Sequence, residues 1–181
     1  MHGVIFTSFR DFVGSAHGHE TTDEVFGSEV YLLSESYEDE KLVALLERAC
    51  DATGIELDEL LYEFGVFTAE RTFTRLYPAF FAISPSTREF LLTVETRIHE
   101  LVRATIPNAR PPELGVTELD GNGVFITYSS PRRLCVVLRG LTEGTARHYG
   151  ETSSIEETAC MHDGAPACTF EVRFSDGVPT A

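Results

Sequence analysis

The chain is poor in positive charge. Its 14 Lys and Arg face 29 Asp and Glu, a formal net charge of −15 over 181 residues. Phosphate backbones and anionic membrane surfaces are held by basic faces, so this balance excludes both as partners. A protein that docks here is expected to bring a basic patch of its own. Long apolar runs are missing too, since none approaches the ~20 residues that cross a bilayer. The opening "MHGVIFTSFRDFV" has no basic leader region and no small-residue cleavage site. It therefore reads as part of the fold, with the cytoplasm as the expected location. The four cysteines, Cys50, Cys135, Cys160 and Cys168, are too few to staple a chain of this size. No internal repeat, low-complexity linker, nucleophile–base pair or acidic pair stands out, so an enzyme is not expected.

What is present suits one globular domain with a sizeable core, at 43% apolar and 24% charged residues. The first two-thirds read as helical. "HGVIFTSFRDFV" spaces Val4, Ile5, Phe9 and Phe12 as a helix ending at Gly14. Ser15 to Glu40 reads as irregular, with at most a short helix and "SEVYLLS" its sole apolar island. "DEKLVALLERACDATG" carries acids at its start and Gly54 past its end, the signals that bound a helix, and Cys50 falls in its apolar pattern. "ELDELLYEFGVF" and an aromatic-rich segment broken at Pro78 follow. "SPSTREFLLTVETRIHELVRAT" predicts a long helix with Ser84 as N-cap and Pro85 in the first turn. His99 lies on the flank of its apolar stripe, one turn after Glu95.

From Glu113 the period changes. "ELGVTELDGNGVFITYSS" alternates on both sides of "DGNG", a hairpin signal. "SPRRLCVVLRGLTEGTARHYG" returns to helical spacing from Ser130 and Pro131, and "SSIEETAC" and "CTFEVRF" close as strands around "MHDGAPA". The class is α+β: a helical amino-terminal subdomain (1–83), then a long helix and an antiparallel sheet with a flanking helix (84–181).

Two features could carry chemistry. In "YSSPR", strand alternation puts Tyr128 and Ser130 on one side, with Arg132 just beyond. Two hydroxyls and a guanidinium at a strand-to-helix junction can cradle carboxylates. Equally, Ser130 can be a simple helix cap and Arg132 a solvated charge. His99 is open in the same way: a surface histidine, or an axial ligand to a metal.

Together these features resemble the H-NOX family, the haem nitric oxide/oxygen binding domains. "MHGVIF" resembles the family's opening M-x-G-x-I. "IHELVRATIPNARPPEL" resembles its proximal-histidine helix and Pro-Pro loop, with Ile106 where an aromatic is common. "YSSPR" satisfies Y-x-S-x-R, and "RGLTEG" resembles the G-L-x-x-G segment after it. The resemblance spans nearly the whole chain in order. It implies haem b, held without the C-x-x-C-H of covalent attachment. His99 would be the iron ligand, Tyr128, Ser130 and Arg132 the propionate cradle, and Pro112 a wall pressing on the ring. Val4, Ile5, Phe73 and Leu141 would line the distal side. Oxygen-binding members carry a tyrosine five residues after the motif arginine, where this chain has Val137. Tyr77 and Tyr62 remain as other possible donors, and His17 and His19, in a region that looks shortened, as a conceivable second ligand.

The resemblance thus implies a gas sensor for NO and CO that discriminates against O₂ and signals to a separate protein, such as a histidine kinase or a cyclic-dinucleotide enzyme. Cys135, Cys160 and Cys168 resemble the zinc site of a subset of the family. His162 is the preferred fourth ligand, with Glu157, three residues before Cys160, as the alternative. A competing reading keeps the fold as a zinc-stabilised thiol-redox module, or one binding another small hydrophobic ligand, without haem chemistry.

Overall fold

A computed structural model of the chain describes residues 1–106 and 109–176. Pro107 and Asn108 of the Pro-Asn-Ala-x-Pro-Pro loop lie outside the described residues. The element order is helix α1 (Gly3–Phe26), α2 (Asp39–Thr53), α3 (Leu57–Phe67), a π-helical turn (Thr68–Phe73), then the short α4 (Thr74–Leu76) and α5 (Pro78–Ala82). Next come α6 (Thr87–Thr93), a second π-helical turn (Val94–His99) and α7 (Glu100–Thr105). Strands β1 (Glu113–Leu119) and β2 (Gly123–Ser129), helix α8 (Cys135–His148), and strands β3 (Glu151–Ala159) and β4 (Cys168–Asp176) complete it. The sheet is antiparallel in the order β1-β2-β4-β3. Among the described residues, no helix is long and apolar enough to cross a membrane.

The α+β class and both hairpins stand where the sequence puts them. Three expectations do not hold. The stretch after Gly14 is irregular only from Gly27 to Glu38: α1 runs on to Phe26, kinked at Gly18 (φ 86°, ψ 178°). Thr22, Val25 and Phe26 are buried there, so tertiary contacts keep helical a segment too polar to advertise itself. The long helix starts at Thr87, two residues later than expected; Ser86, not Ser84, is its N-cap, its Oγ accepting from Glu89 N–H at 3.2 Å. Finally, α8 begins at Cys135 and Ser130 does not cap it. Ser130 to Arg133 form a turn instead, closed by Arg133 N–H to Ser130 C=O (3.1 Å), with Arg133 at φ 51°.

Two apolar clusters form the core. One packs α1, α2 and α3 around Phe6, Phe9, Phe26, Leu45 and Leu60. The other fills the space between the sheet and the later helices, around Phe81, Phe90, Ile126, Phe170 and Val172. Gly140 sets the approach of α3 to α8, because a Cβ there would lie 2.2 Å from the Tyr62 carbonyl oxygen. Backbone cannot yield as a flexible side chain does. Gly140→Ala is expected to destabilise the protein by roughly 1–3 kcal/mol, read as a lower urea midpoint. Gly3 is needed for a similar reason. A Cβ there would sit 1.9 Å from Leu32 C=O, where "SEVYLLS" folds back on the first helix.

Candidate functional site

The two clusters leave between them an apolar cavity. Every residue that the resemblance names for the haem site lines it: His99 and Pro112; Tyr128, Ser130 and Arg132; and Val4, Ile5, Phe73, Val137 and Leu141. His17, His19 and Tyr62 do not line it, whereas Tyr77 does. His17 instead sits on α1 beside Phe12, ring centroids 5.9 Å apart.

His99 closes the π-helical turn, a local geometry frequent at functional sites. Its side chain is 14% exposed, and its Nδ1 lies 2.8 Å from Glu95 Oε2. Burial pushes the imidazolium below the ordinary histidine range, against the opposing pull of Glu95 and the Pro112 carbonyl. A neutral imidazole is the form that binds metal. Glu95 is desolvated as well, yet hydrogen bonds from Arg103, His99 and Leu114 N–H hold it below the usual carboxylate range. As a carboxylate it can only accept, so His99 Nδ1–H donates and Nε2 keeps its lone pair.

The hydroxyls of "YSSPR" are buried, Tyr128 at 4% and Ser130 at 3% exposure. Tyr128 Oη accepts Leu134 N–H at 3.0 Å, satisfying a donor at the entry to α8. Ser130 Oγ accepts Arg132 N–H at 3.3 Å. Because Arg132 falls in a turn rather than a helix, its guanidinium reaches across the molecule. Nε donates to Asp39 Oδ2 and Nη1 to Arg110 C=O, both at 2.7 Å. That the guanidinium already holds one carboxylate at the cavity rim fits a cradle for propionates, and its remaining N–H donors allow more. Thr142 and Thr145 also line the cavity, but their hydroxyls donate back to Leu138 and Leu141 C=O at 2.9 and 2.7 Å. The Tyr77 hydroxyl has no hydrogen-bond partner among the described residues.

A second cluster lies behind β2, where Tyr128 pairs with Cys168 across the sheet. One ligand atom each from Cys135, Glu157, Cys160 and Cys168 falls within 4.8 Å of all the others. The Sγ atoms of Cys135 and Cys168 each lie 3.9 Å from that of Cys160. A zinc tetrahedron with Zn–S near 2.3 Å has an S···S edge of about 3.8 Å, so the thiols sit at the spacing zinc requires. Burial and its neighbouring thiols push Cys135 up to about 12, and burial raises Cys160 too. A bound cation would lower them and favour the thiolate form that metals take. Of the two fourth ligands expected, Glu157 lies in this cluster and His162 does not. The turn Met161–Asp163 carries His162 outward, where its Nε2 meets Arg133 C=O at 2.9 Å. Cys50 stands apart, half-buried against the amino-terminal cluster.

Sequence reading missed Asp39, which no local signal marks. It noticed Glu95 but not its part; the spacing of four residues before His99 is the signal that could have found it.

A model of the Haem-NO-binding family matches residues 2–157. The chain belongs to this family. Its members are haem-based gas sensors, and the chain has the H-NOX fold. It is similar to an H-NOX protein from S. oneidensis solved in the Fe(II)NO state, 23% identical, with a TM-score of 0.89 over 97% of this chain and 100% of that one. The same domain from Shewanella oneidensis in the Fe(II)CO state matches at 23% identity and a TM-score of 0.87, covering 97% of this chain and 99% of that one. An Fe(II) unliganded H-NOX protein from K. algicida is 25% identical with a TM-score of 0.85 over 100% of both chains. No functionally curated protein matches significantly.

Proposed function

We propose that this Haem-NO-binding protein senses NO, and binds CO, through a ferrous haem ligated by His99, and that it discriminates against O₂. The observation that carries the reading is His99 itself: a mostly buried imidazole on an apolar cavity, its Nδ1 2.8 Å from the Glu95 carboxylate. When bound, the haem supplies the iron that takes the gas. The chain does the rest. Tyr128, Ser130 and Arg132 bind the propionates, Pro112 presses on the ring, and Val4, Ile5, Phe73, Val137 and Leu141 exclude water from the gas side. Val137 offers bound O₂ no hydrogen bond, a loss that NO and CO tolerate far better.

Residues 1–83 and 84–181 act in this reading as two lobes joined across the cavity, in part through the Asp39–Arg132 pair. A change at His99 shifts one lobe against the other and alters the surface offered to a partner protein in the cytoplasm. The partner's docking face complements the net charge of −15. The test is the visible spectrum of protein expressed with added haem. A Soret band that shifts with NO and with CO, and does not form a stable ferrous–O₂ complex in air, is the expected result. No Soret band, or a stable O₂ complex, overturns the reading.

The cysteine geometry favours a second reading alongside the first: a structural zinc held by Cys135, Cys160, Cys168 and Glu157. Metal analysis is expected to return one zinc per chain, lost in Cys160→Ser and retained in His162→Ala. Zinc-free protein whose three thiols all react freely with a thiol reagent would leave thiol-redox chemistry as the role of this cluster.

A further inference from the structure

We propose that Glu95 is a positioning residue for His99: its carboxylate locks the imidazole as the Nδ1–H tautomer and makes Nε2 a stronger donor to a metal than an unpartnered histidine would be. The proposal rests on the reading of His99 as the haem ligand. Its ground is the way the carboxylate is held. Oε2 takes two donors, His99 Nδ1 at 2.8 Å and the Leu114 main-chain N–H at 3.2 Å, while Oε1 takes Arg103 Nη2 at 2.5 Å. A side chain tied at three points cannot swing away, and the imidazole is held with it. A surface i,i+4 pair would lack this, having no main-chain anchor and both partners in water. Here the histidine is mostly buried and the carboxylate 29% exposed.

The chemical consequence is electronic as well as geometric. A carboxylate accepting from Nδ1–H draws that proton towards itself and leaves more electron density on the ring, so Nε2 becomes more basic. Hydrogen bonding behind an axial histidine is one of the levers by which a protein tunes haem iron. Arg103 moderates the effect by sharing the carboxylate charge. There is a mechanical consequence too. Leu114 opens the inward face of β1, so any displacement of His99 pulls on Glu95 and through it on the sheet.

The experiment compares wild type with Glu95→Gln and Glu95→Ala in two arms. In the haem-free protein, ¹⁵N NMR of the His99 ring is expected to report the Nδ1–H tautomer in wild type and a mixture with Nε2–H in Glu95→Ala. In the ferrous haem protein, the iron–histidine stretching band is expected at progressively lower frequency from wild type through Glu95→Gln to Glu95→Ala, and the midpoint potential is expected to rise in the same order. Haem transfer to an acceptor protein is expected to quicken by about ten- to a hundred-fold, the scale of losing a hydrogen-bond partner behind a metal ligand. An unchanged tautomer, or an unchanged stretching band in both variants, overturns the proposal. A wild type that takes up no haem overturns the haem reading instead, and the tautomer arm still decides what Glu95 does to His99. Glu95→Gln keeps the side-chain shape, so a fold lost only in Glu95→Ala does not blunt the test.

Discussion

His99→Gly protein is expected to lose the five-coordinate ferrous haem spectrum altogether, and added imidazole to restore it. The reasoning is that His99 is the cavity-wall imidazole held by a carboxylate, whereas His2, which also lines the cavity, has its Nδ1 taken by Val4 N–H at 3.3 Å. Tyr128 and Ser130 are committed to neighbouring N–H groups, Arg132 is a cation, and His17 and His19 stand away from the cavity. Removing the ring leaves Glu95 in place, still held by Arg103 and Leu114, ready to accept from the N–H of an imidazole that enters the space vacated. Rescue by imidazole therefore separates loss of a ligand from loss of the fold. An unaltered spectrum in His99→Gly would mean that another residue holds the iron.

The second large effect concerns the choice of gas. Val137→Tyr is expected to yield a ferrous–O₂ complex that survives in air, where the wild type is expected to form none. Val137 sits on α8 and lines the cavity wall together with Leu138 and Leu141, neither of which has a donor. A phenolic hydroxyl introduced there adds the hydrogen bond that polarised, iron-bound O₂ lacks, and a charge-assisted bond of that kind in a dry site outweighs an ordinary neutral one. Tyr77 supplies the control. It already lines the cavity with an unpartnered hydroxyl, and burial raises its pKa, keeping it protonated as a donor. Tyr77→Phe is expected to leave O₂ rejection and the NO spectrum unchanged. Should Tyr77→Phe instead alter the gas spectra while Val137→Tyr does not, the discriminating position is Tyr77.

The motif residues were legible because each is a local signal whose chemistry travels with its sequence. Strand alternation brought Tyr128 and Ser130 to one side without knowledge of the rest of the chain. Gly54 ended α2 and the Asp-Gly-Asn-Gly turn made the β1–β2 hairpin for the same reason. In each case the backbone responds to neighbours a few residues away. Where local signals were weak they misled. The second half of α1 is polar and contains Gly18, yet burial of Val25 and Phe26 keeps it helical. Ser130 followed by proline looked like a helix start, but the chain spends four residues turning before α8 begins, and this frees Arg132 to leave its own element.

From the sequence alone came the family resemblance, the order of elements, the histidine, the carboxylate cradle and the three cysteines, all set by residue type and short spacing. Tertiary structure alone decided who partners them. Asp39 meets Arg132 across 93 residues of chain, Leu114 ties Glu95 to the sheet, and Glu157 rather than His162 completes the cysteine cluster. Such pairings depend on where whole elements come to rest against one another. That is settled by the packing of two apolar clusters and the space left between them, and no spacing along the chain records it.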